Sequence, residues 1–522
     1  MTRIFQHGLL VVLLLSSPHS FSQSTFQQLF PGLQNSMGNN AHRSLNGGVT
    51  FATWAYDQFG MSGRDMVLIS LSDQGDTLWT RTYGRPHNDQ SFSMLGTADG
   101  GYLIVGGTDT SDIINPGQQL YLIRTDAFGD TLWTRAYWRS SYDYGLAATE
   151  CFDGGFTIVG TSSPGGLYLV RIGAQGNLIW SRVFDKRDPP FFDSQVPTAW
   201  GVAQLVDGSF IVCGNHQSGA ALVSNINSVG DLLWTRRTDI GNVVALRQIV
   251  ATQDGGCLMV GPIQIDGDYD CLFVKSDSLG TIAWSRAYDC GGDESLFSII
   301  QTTDSGFAVA GYTTEAIPAP HDMYFLKTDS VGLVQFSISF GGSSVDIGQD
   351  VVEADDGGYF IVGYTKSFGY DTSMYAMKIN LTDDGACYQN NISTIVTDVN
   401  LVWQDIELES FSSLLIEHSG ACSVGRGATV LPLCPVGVDE VMPDKSNVQV
   451  FPNPATARIT ITLPSNSTRS ELEVFNALGE RMMASRVRSS QTMIDCSSFA
   501  RGIYLVKVTT STTTVTQRVV LE

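Results

Sequence analysis

Short apolar runs recur along most of this chain, separated by polar, glycine-containing breaks. One copy shows the pattern clearly. Residues 91–97 open it, Asp99-Gly100-Gly101 interrupts it, and residues 102–106 (YLIVG) resume it. Residues 120–125 (LYLIRT) follow, then a polar turn at 126–129 and the stretch 131–137 (TLWTRAY). These read as four strands, A to D. The A–B connection is a tight hairpin, because Gly tolerates positive φ there. Strands B and C are apolar throughout instead of alternating, which predicts a sheet buried on both faces.

The pattern has a period. A phrase of the form GDTLWTR places its aromatic at Trp79, Trp133, Trp180, Trp234, Trp284 and, degenerate, Phe336. A second marker, DGG or close to it, begins at Asn46, Asp99, Asp153, Asp207, Asp254, Asp304 and Asp356. That gives seven units of about fifty residues. A four-stranded sheet buried on both faces and repeated seven times predicts an all-β, seven-bladed β-propeller over residues 23–387. A β-solenoid is the rival, with shorter repeats and no closure device. The seventh unit has strands A to C but no Trp phrase. Phe26 lies before Asn46 by the same interval as Trp79 before Asp99. Residues 26–30 (FQQLF) are therefore expected to supply the missing outer strand of the last blade, removing a free edge. Over residues 26–387 the pattern resembles the propeller-like repeats of exported Bacteroidetes proteins.

After Cys387 this periodicity stops. Residues 388–447 read as a small β-rich connector and linker. From Val448 a new pattern of short strands predicts a compact Ig-like β-sandwich over 448–522. Its motifs are Phe451-Pro452-Asn453-Pro454, the FNALGE of 475–480 with Gly479, and Gly502-Ile503-Tyr504. This segment is similar to the C-terminal sorting domain of the type IX secretion system in Bacteroidetes, although many members end in a basic residue and this chain ends VVLE. The resemblance implies the type IX secretion machinery as a partner, export through the outer membrane, and often removal of the domain with attachment to surface lipopolysaccharide. A plain Ig-like accessory domain is the other reading.

Composition agrees with export. The chain has 522 residues, 52 acidic against 30 basic, and a net charge of −22. This disfavours nucleic acid and anionic membrane as partners, since both recruit clustered Lys and Arg. Residues 1–22 read as a signal peptide: Arg3, an apolar run at 8–15, then small residues near Ser22. No apolar run is long enough to span a bilayer. The nine cysteines include no CxxC pair, which argues against a zinc or thioredoxin-type site. A disulfide among Cys387, Cys422 and Cys434 is reasonable after export, while Cys213 and Cys257 read as core residues.

Catalytic signatures are missing from the sequence: no HExxH, no P-loop, no GxSxG. No cofactor is expected. Asp266, Asp268 and Asp270 form an alternating acidic stretch that suggests calcium, but Asp270 aligns with Asp65 and Asp322 at the start of strand C, which suggests a repeated turn. The DQGDTLW phrase looks like the Asp-box of sialidase propellers, a structural motif even there. The D–A and B–C loops vary in length and share one face, where function usually sits. Candidate binding residues are Arg85, His87, Trp138, Arg139, Tyr142, Tyr144, Phe191, Phe192 and Trp200, whose aromatic and Arg character suits a sugar or a protein. The expectation is an exported, surface-attached, non-catalytic binding propeller. A carbohydrate-active enzyme and a purely structural surface component are the alternatives.

Overall fold

The computed structural model describes residues 25–30, 40–56, 63–84, 88–110, 117–139, 142–162, 166–185, 198–215, 220–238, 245–314, 321–368, 372–381, 389–412, 416–418, 423–425, 431–432, 449–451, 458–462, 470–476, 481–487, 491–497, 499–509 and 514–521. The expected signal peptide and the Cys387, Cys422 and Cys434 cluster lie outside these residues. Every regular element described is a β-strand. The chain divides into two compact units, 1–434 and 435–522.

The first unit contains seven antiparallel sheets; six take strands A-B-C-D from one repeat in order, and the seventh takes only A-B-C from its own repeat. Sheet two is typical: Asp89–Gly96, Tyr102–Thr110, Gly117–Thr125 and Thr131–Trp138. Strands B and C are buried on both faces, as their continuous apolar runs require; Leu103, Ile104, Val105, Leu120, Tyr121, Leu122 and Ile123 are all fully buried. Each strand A packs against strand A of the next sheet, and Asp346–Glu353 of sheet seven packs back against Asn40–Arg43 of sheet one. The buried Asp350 carboxylate ties this seam. It accepts hydrogen bonds from Ala41 N of sheet one (2.6 Å) and from Ser298 Oγ of sheet six.

Phe26–Phe30 pairs antiparallel with Ser373–Ile379, from Phe26↔Lys378 to Phe30↔Met374, and is the fourth strand of sheet seven. The repeated phrase explains why an aromatic is needed there. In sheets one, two and five, Trp, Arg and Tyr of strand D hold the C–D turn of the next sheet, and sheets three and four keep the Trp and Arg. Tyr83 Oη donates to the Gly129 carbonyl (2.5 Å), and Trp133 Nε1 donates to the Ala174 carbonyl (3.0 Å). Gly129 has φ +77, and a Cβ on it would lie 2.8 Å from the Trp79 ring. Glycine is thus required twice over, by backbone conformation and by the ring above it. At Gly75 the ring that crowds the turn is Phe26. A second repeated device joins strand C to the A–B turn: Arg124–Asp99, Arg171–Asp153, Lys275–Asp254, Lys327–Asp304 and Lys378–Asp356. Burial pushes Asp254 up, but hydrogen bonds from Lys275 and Thr252 outweigh it and leave the carboxyl at about 2.

Residues 389–432 differ from the separate connector that the sequence suggested. They belong to the first unit and add a fifth strand to every sheet. Gln389–Asn391 pairs with strand D of sheet six, Ile395–Asp398 with sheet five, Trp403–Ile406 with sheet four, and Glu409–Ser412 with sheet three. Ile416–His418 continues on sheet two, Ser423–Gly425 on sheet one, and Leu431–Pro432 on Phe26–Phe30 of sheet seven. The chain therefore visits all seven outer edges in descending order, as a belt. Its spacing is seven residues per sheet. Ile392, Val399 and Ile406 pack on three successive cores, as do Leu401 and Leu408 on two of them. Asp398 pairs with Arg286 (2.9 Å) and Asp405 with Arg236 (3.0 Å). Seven extended residues reach roughly 23–25 Å, enough to step between neighbouring edges. The physical reason for the difference is edge satisfaction: each strand D left bare would present a row of unpaired backbone groups.

In the second unit, a three-stranded sheet (Gln449–Phe451, Arg458–Thr462, Gln491–Asp495) and a four-stranded sheet (Arg481–Val487, Ser470–Asn476, Gly502–Thr509, Thr514–Leu521) share one apolar core. Tyr504 is buried in it, stacks on Phe499 (5.4 Å) and donates to the Ala500 carbonyl (2.8 Å). Gly502 takes φ +149. Pro452, Asn453, Pro454 and Gly479 lie outside the described residues.

Candidate functional site

Strand A carries the same irregularity in five sheets. Its pairing with strand B skips one residue, so two residues oppose one at Phe92, Leu146, Trp200, Phe297 and Gln349. A β-bulge of this kind re-aims a side chain while leaving the sheet intact. Arg247 stands just before Gln248–Ala251, strand A of sheet five, where its amide bonds the Val260 carbonyl (2.8 Å). Because successive A strands are neighbours, these side chains form one row along the A strands. Trp200 is 39% exposed, and Phe92, Leu146, Arg247, Phe297 and Gln349 are half-buried.

Neighbouring sheets support the row. Phe92 of sheet two meets Tyr144 of sheet three (5.6 Å between rings). The Arg247 guanidinium lies 5.2 Å over Phe297 and donates to Ser295 Oγ (3.1 Å). Phe297 contacts Tyr312 (6.0 Å), which meets His321 edge-on (4.6 Å). Trp200 Nε1 donates to Asn215 Oδ1 (2.8 Å), fixing an exposed indole in place. Burial lowers the pKa of Arg247 and raises that of Tyr312 from their ordinary values. The arrangement offers flat apolar faces beside one cation, which suits stacking on a sugar ring or on protein side chains.

Of the residues expected from sequence, Tyr144 and Trp200 fall in this row. Trp138 ends strand D of sheet two, on the far edge, where it pairs with Ile416 of the belt. Arg139 is used by the fold: its amide donates to Asp143 Oδ2 (2.7 Å) and its guanidinium to Ser162 Oγ (2.8 Å). Tyr142 is exposed and bridges to Gln118. Arg85, His87, Phe191 and Phe192 lie outside the described residues. Phe92, Arg247, Phe297 and Tyr312 were not expected. Their signal was an extra residue in strand A relative to strand B, visible only once the two are paired.

The acidic stretch at 266–270 divides. Asp266 (φ 53) and Gly267 (φ 112) are the two central residues of the hairpin joining Cys257–Ile265 to Asp268–Ser276. Positive φ at both positions is the geometry that selects Asp-Gly. Asp266 and Asp268 are exposed, whereas Asp270 is buried and faces Asp289 and Glu294. Of the three aspartates suggested by sequence, only Asp270 lies in this group of three neighbouring acids.

Comparison with known proteins gives one family match: residues 449–522 match the secretion system C-terminal sorting domain. No curated protein sequence matches the chain. Among solved structures, it is similar to PorZ, described as an essential bacterial surface component of the type-IX secretion system of Porphyromonas gingivalis. That match has 8% identity, 91% of this chain and 74% of that one, and a TM-score of 0.33. It is also similar to Chaetomium thermophilum Sqt1 (11% identity, 70% and 87% covered, TM-score 0.35) and to a glucose dehydrogenase (10%, 68% and 99%, TM-score 0.30). At such identities and scores these likenesses carry no functional weight. The family match does: the C-terminal unit belongs to the type IX secretion system sorting domains of Bacteroidetes-type export, and the chain that carries it is a secreted protein attached to the cell surface.

Proposed function

We propose that the seven sheets form a closed seven-bladed β-propeller that binds a glycan or a protein and catalyses nothing. The C-terminal unit, a β-sandwich in this reading, delivers it through the type IX machinery. The ligand meets the strand A row and the D–A and B–C loops around it. The carrying observation is the repeated bulge: five sheets displace the same residue, and with Arg247 the displaced set is rich in aromatics that stay partly open.

The test is a glycan and surface-protein array probed with the wild type, Trp200→Ala and Phe297→Ala. Losing one stacking face should weaken binding by about tenfold or more, with thermal melting little changed for the exposed Trp200. Equal binding by all three proteins would contradict the assignment of the row. Turnover of an arrayed glycan would replace this reading with the carbohydrate-active one.

A further inference from the structure

We propose that the junction between sheets five and six holds a calcium ion on the carboxylates of Asp270, Asp289 and Glu294. Asp270 begins the buried part of strand C in sheet five, Asp289 ends strand D of that sheet, and Glu294 begins strand A of sheet six. One oxygen from each lies within 4.8 Å of the other two. Calcium–oxygen bonds of roughly 2.3–2.6 Å span such a separation, and an all-oxygen set selects a hard cation.

An acidic cluster alone would not point to an ion, but Asp270 does. Its side chain is 6% exposed, and among the described residues no donor reaches its carboxylate and no Lys, Arg or His pairs with any of the three. Asp266, Asp268 and Asp293 add further negative charge around it. Glu294, fully buried, takes hydrogen bonds from Thr313 Oγ1 (2.8 Å) and Cys290 N (3.2 Å), and Asp289 takes one from Gly291 N (2.6 Å). Those donors orient the two carboxylates without neutralising them.

The equivalent junctions supply a control within the same molecule. Between sheets one and two the three positions are Asp65, Gly84 and Asp89. Between sheets six and seven they are Asp322, Gly341 and Asp346. There, a Cβ on Gly84 would lie 2.1 Å from Asp65 Oδ1, and one on Gly341 would lie 2.2 Å from Asp322 Oδ1. Two acids and a glycine are thus the set at both of these junctions. The junction of sheets five and six puts a third carboxylate where those two leave a hydrogen. A third negative charge beside two buried ones is unfavourable unless a cation joins them.

The experiment is calorimetric titration of the full chain with calcium chloride after EDTA treatment and exchange into calcium-free buffer, with melting measured beside it. One ion per chain should bind, with a dissociation constant on the order of 10⁻⁴ M as in extracellular sites, and should raise the melting temperature. Asp289→Gly installs the residue found between sheets one and two and between sheets six and seven. It should melt like the wild type in EDTA, bind calcium at least about tenfold more weakly, and lose the calcium-dependent rise. Asp270→Asn, nearly isosteric, should lose binding in the same way. No saturable calcium heat in the wild type, or wild-type affinity in both variants, would overturn the proposal.

Discussion

Residues 40–379 and residues 389–432 meet the same requirement, satisfied strand edges, at very different periods. The sheets repeat about every fifty residues, and the belt that finishes them repeats every seven. The long repeat carries its own turn chemistry. Asp126 Oδ1 accepts from the amides of Phe128 and Asp130, and Asp99 Oδ1 from Gly101, so each hairpin is written locally. The belt contains only strands of two to four residues. It needs no turn signals, because the sheets it crosses already present the partners. It specifies spacing, apolar residues for three successive cores and, twice, an Asp for a strand D arginine. Such a segment can order only on sheets that already exist.

The sharpest way to break the comparison is to remove the piece the two regions share. Phe26–Phe30 is both strand D of sheet seven and the last edge the belt reaches. Deleting residues 23–30 exposes the sites of Phe26, Leu29 and Phe30, all buried, at a cost of roughly 4–9 kcal/mol. A large drop in denaturant midpoint is expected, and an unchanged midpoint would count against the closing role. Next comes the belt itself. Leu401→Ala with Leu408→Ala empties two buried positions on successive cores and should cost about 2–5 kcal/mol for each. A connector lying loosely on the sheets would show almost no change.

The pH response is smaller and reports the seam. Burial holds Asp350 at about 6, and burial with the Asp346 charge holds Asp322 at about 6. A raised carboxyl pKa means the folded state binds the proton more tightly than the unfolded one. The stabilisation is complete below about pH 4 and is lost as pH rises through about 6. Melting should therefore rise by a few degrees from pH 7.5 to 5.5, and Asp350→Asn should reduce the slope. A melting temperature that falls over that interval would contradict this. The smallest effect belongs to the belt's ion pairs. Asp398 is 83% exposed against Arg286. Asp398→Asn should cost no more than about 1 kcal/mol and nothing measurable in high salt.

Much of this was legible in the sequence because repetition exposes it. The continuous apolar runs gave both-face burial, the Gly and Trp of the phrase gave the grip between sheets, and the alignment of Phe26 with Trp79 located strand D of sheet seven. The belt was hidden because Ile392, Val399 and Ile406, or Leu401 and Leu408, repeat too closely and too polar a sequence lies between them to read as strands. The candidate site was half hidden for another reason. Tyr144 and Trp200 are conspicuous aromatics, but Phe297 and Arg247 matter through a pairing irregularity that only strand register reveals. The acid triad was hidden because its members come from three strands, only one of them within the Asp-rich stretch.

Hydrogen exchange of the full chain tests the central claim, that residues 389–432 are the outer strand of every sheet. The amides of Ile395–Asp398 and Trp403–Ile406 should be protected to nearly the same degree as those of the strands they pair with, Ile282–Asp289 and Leu232–Thr238. Exchange of the belt amides at the rate of an unstructured peptide, with those sheets still protected, would contradict it.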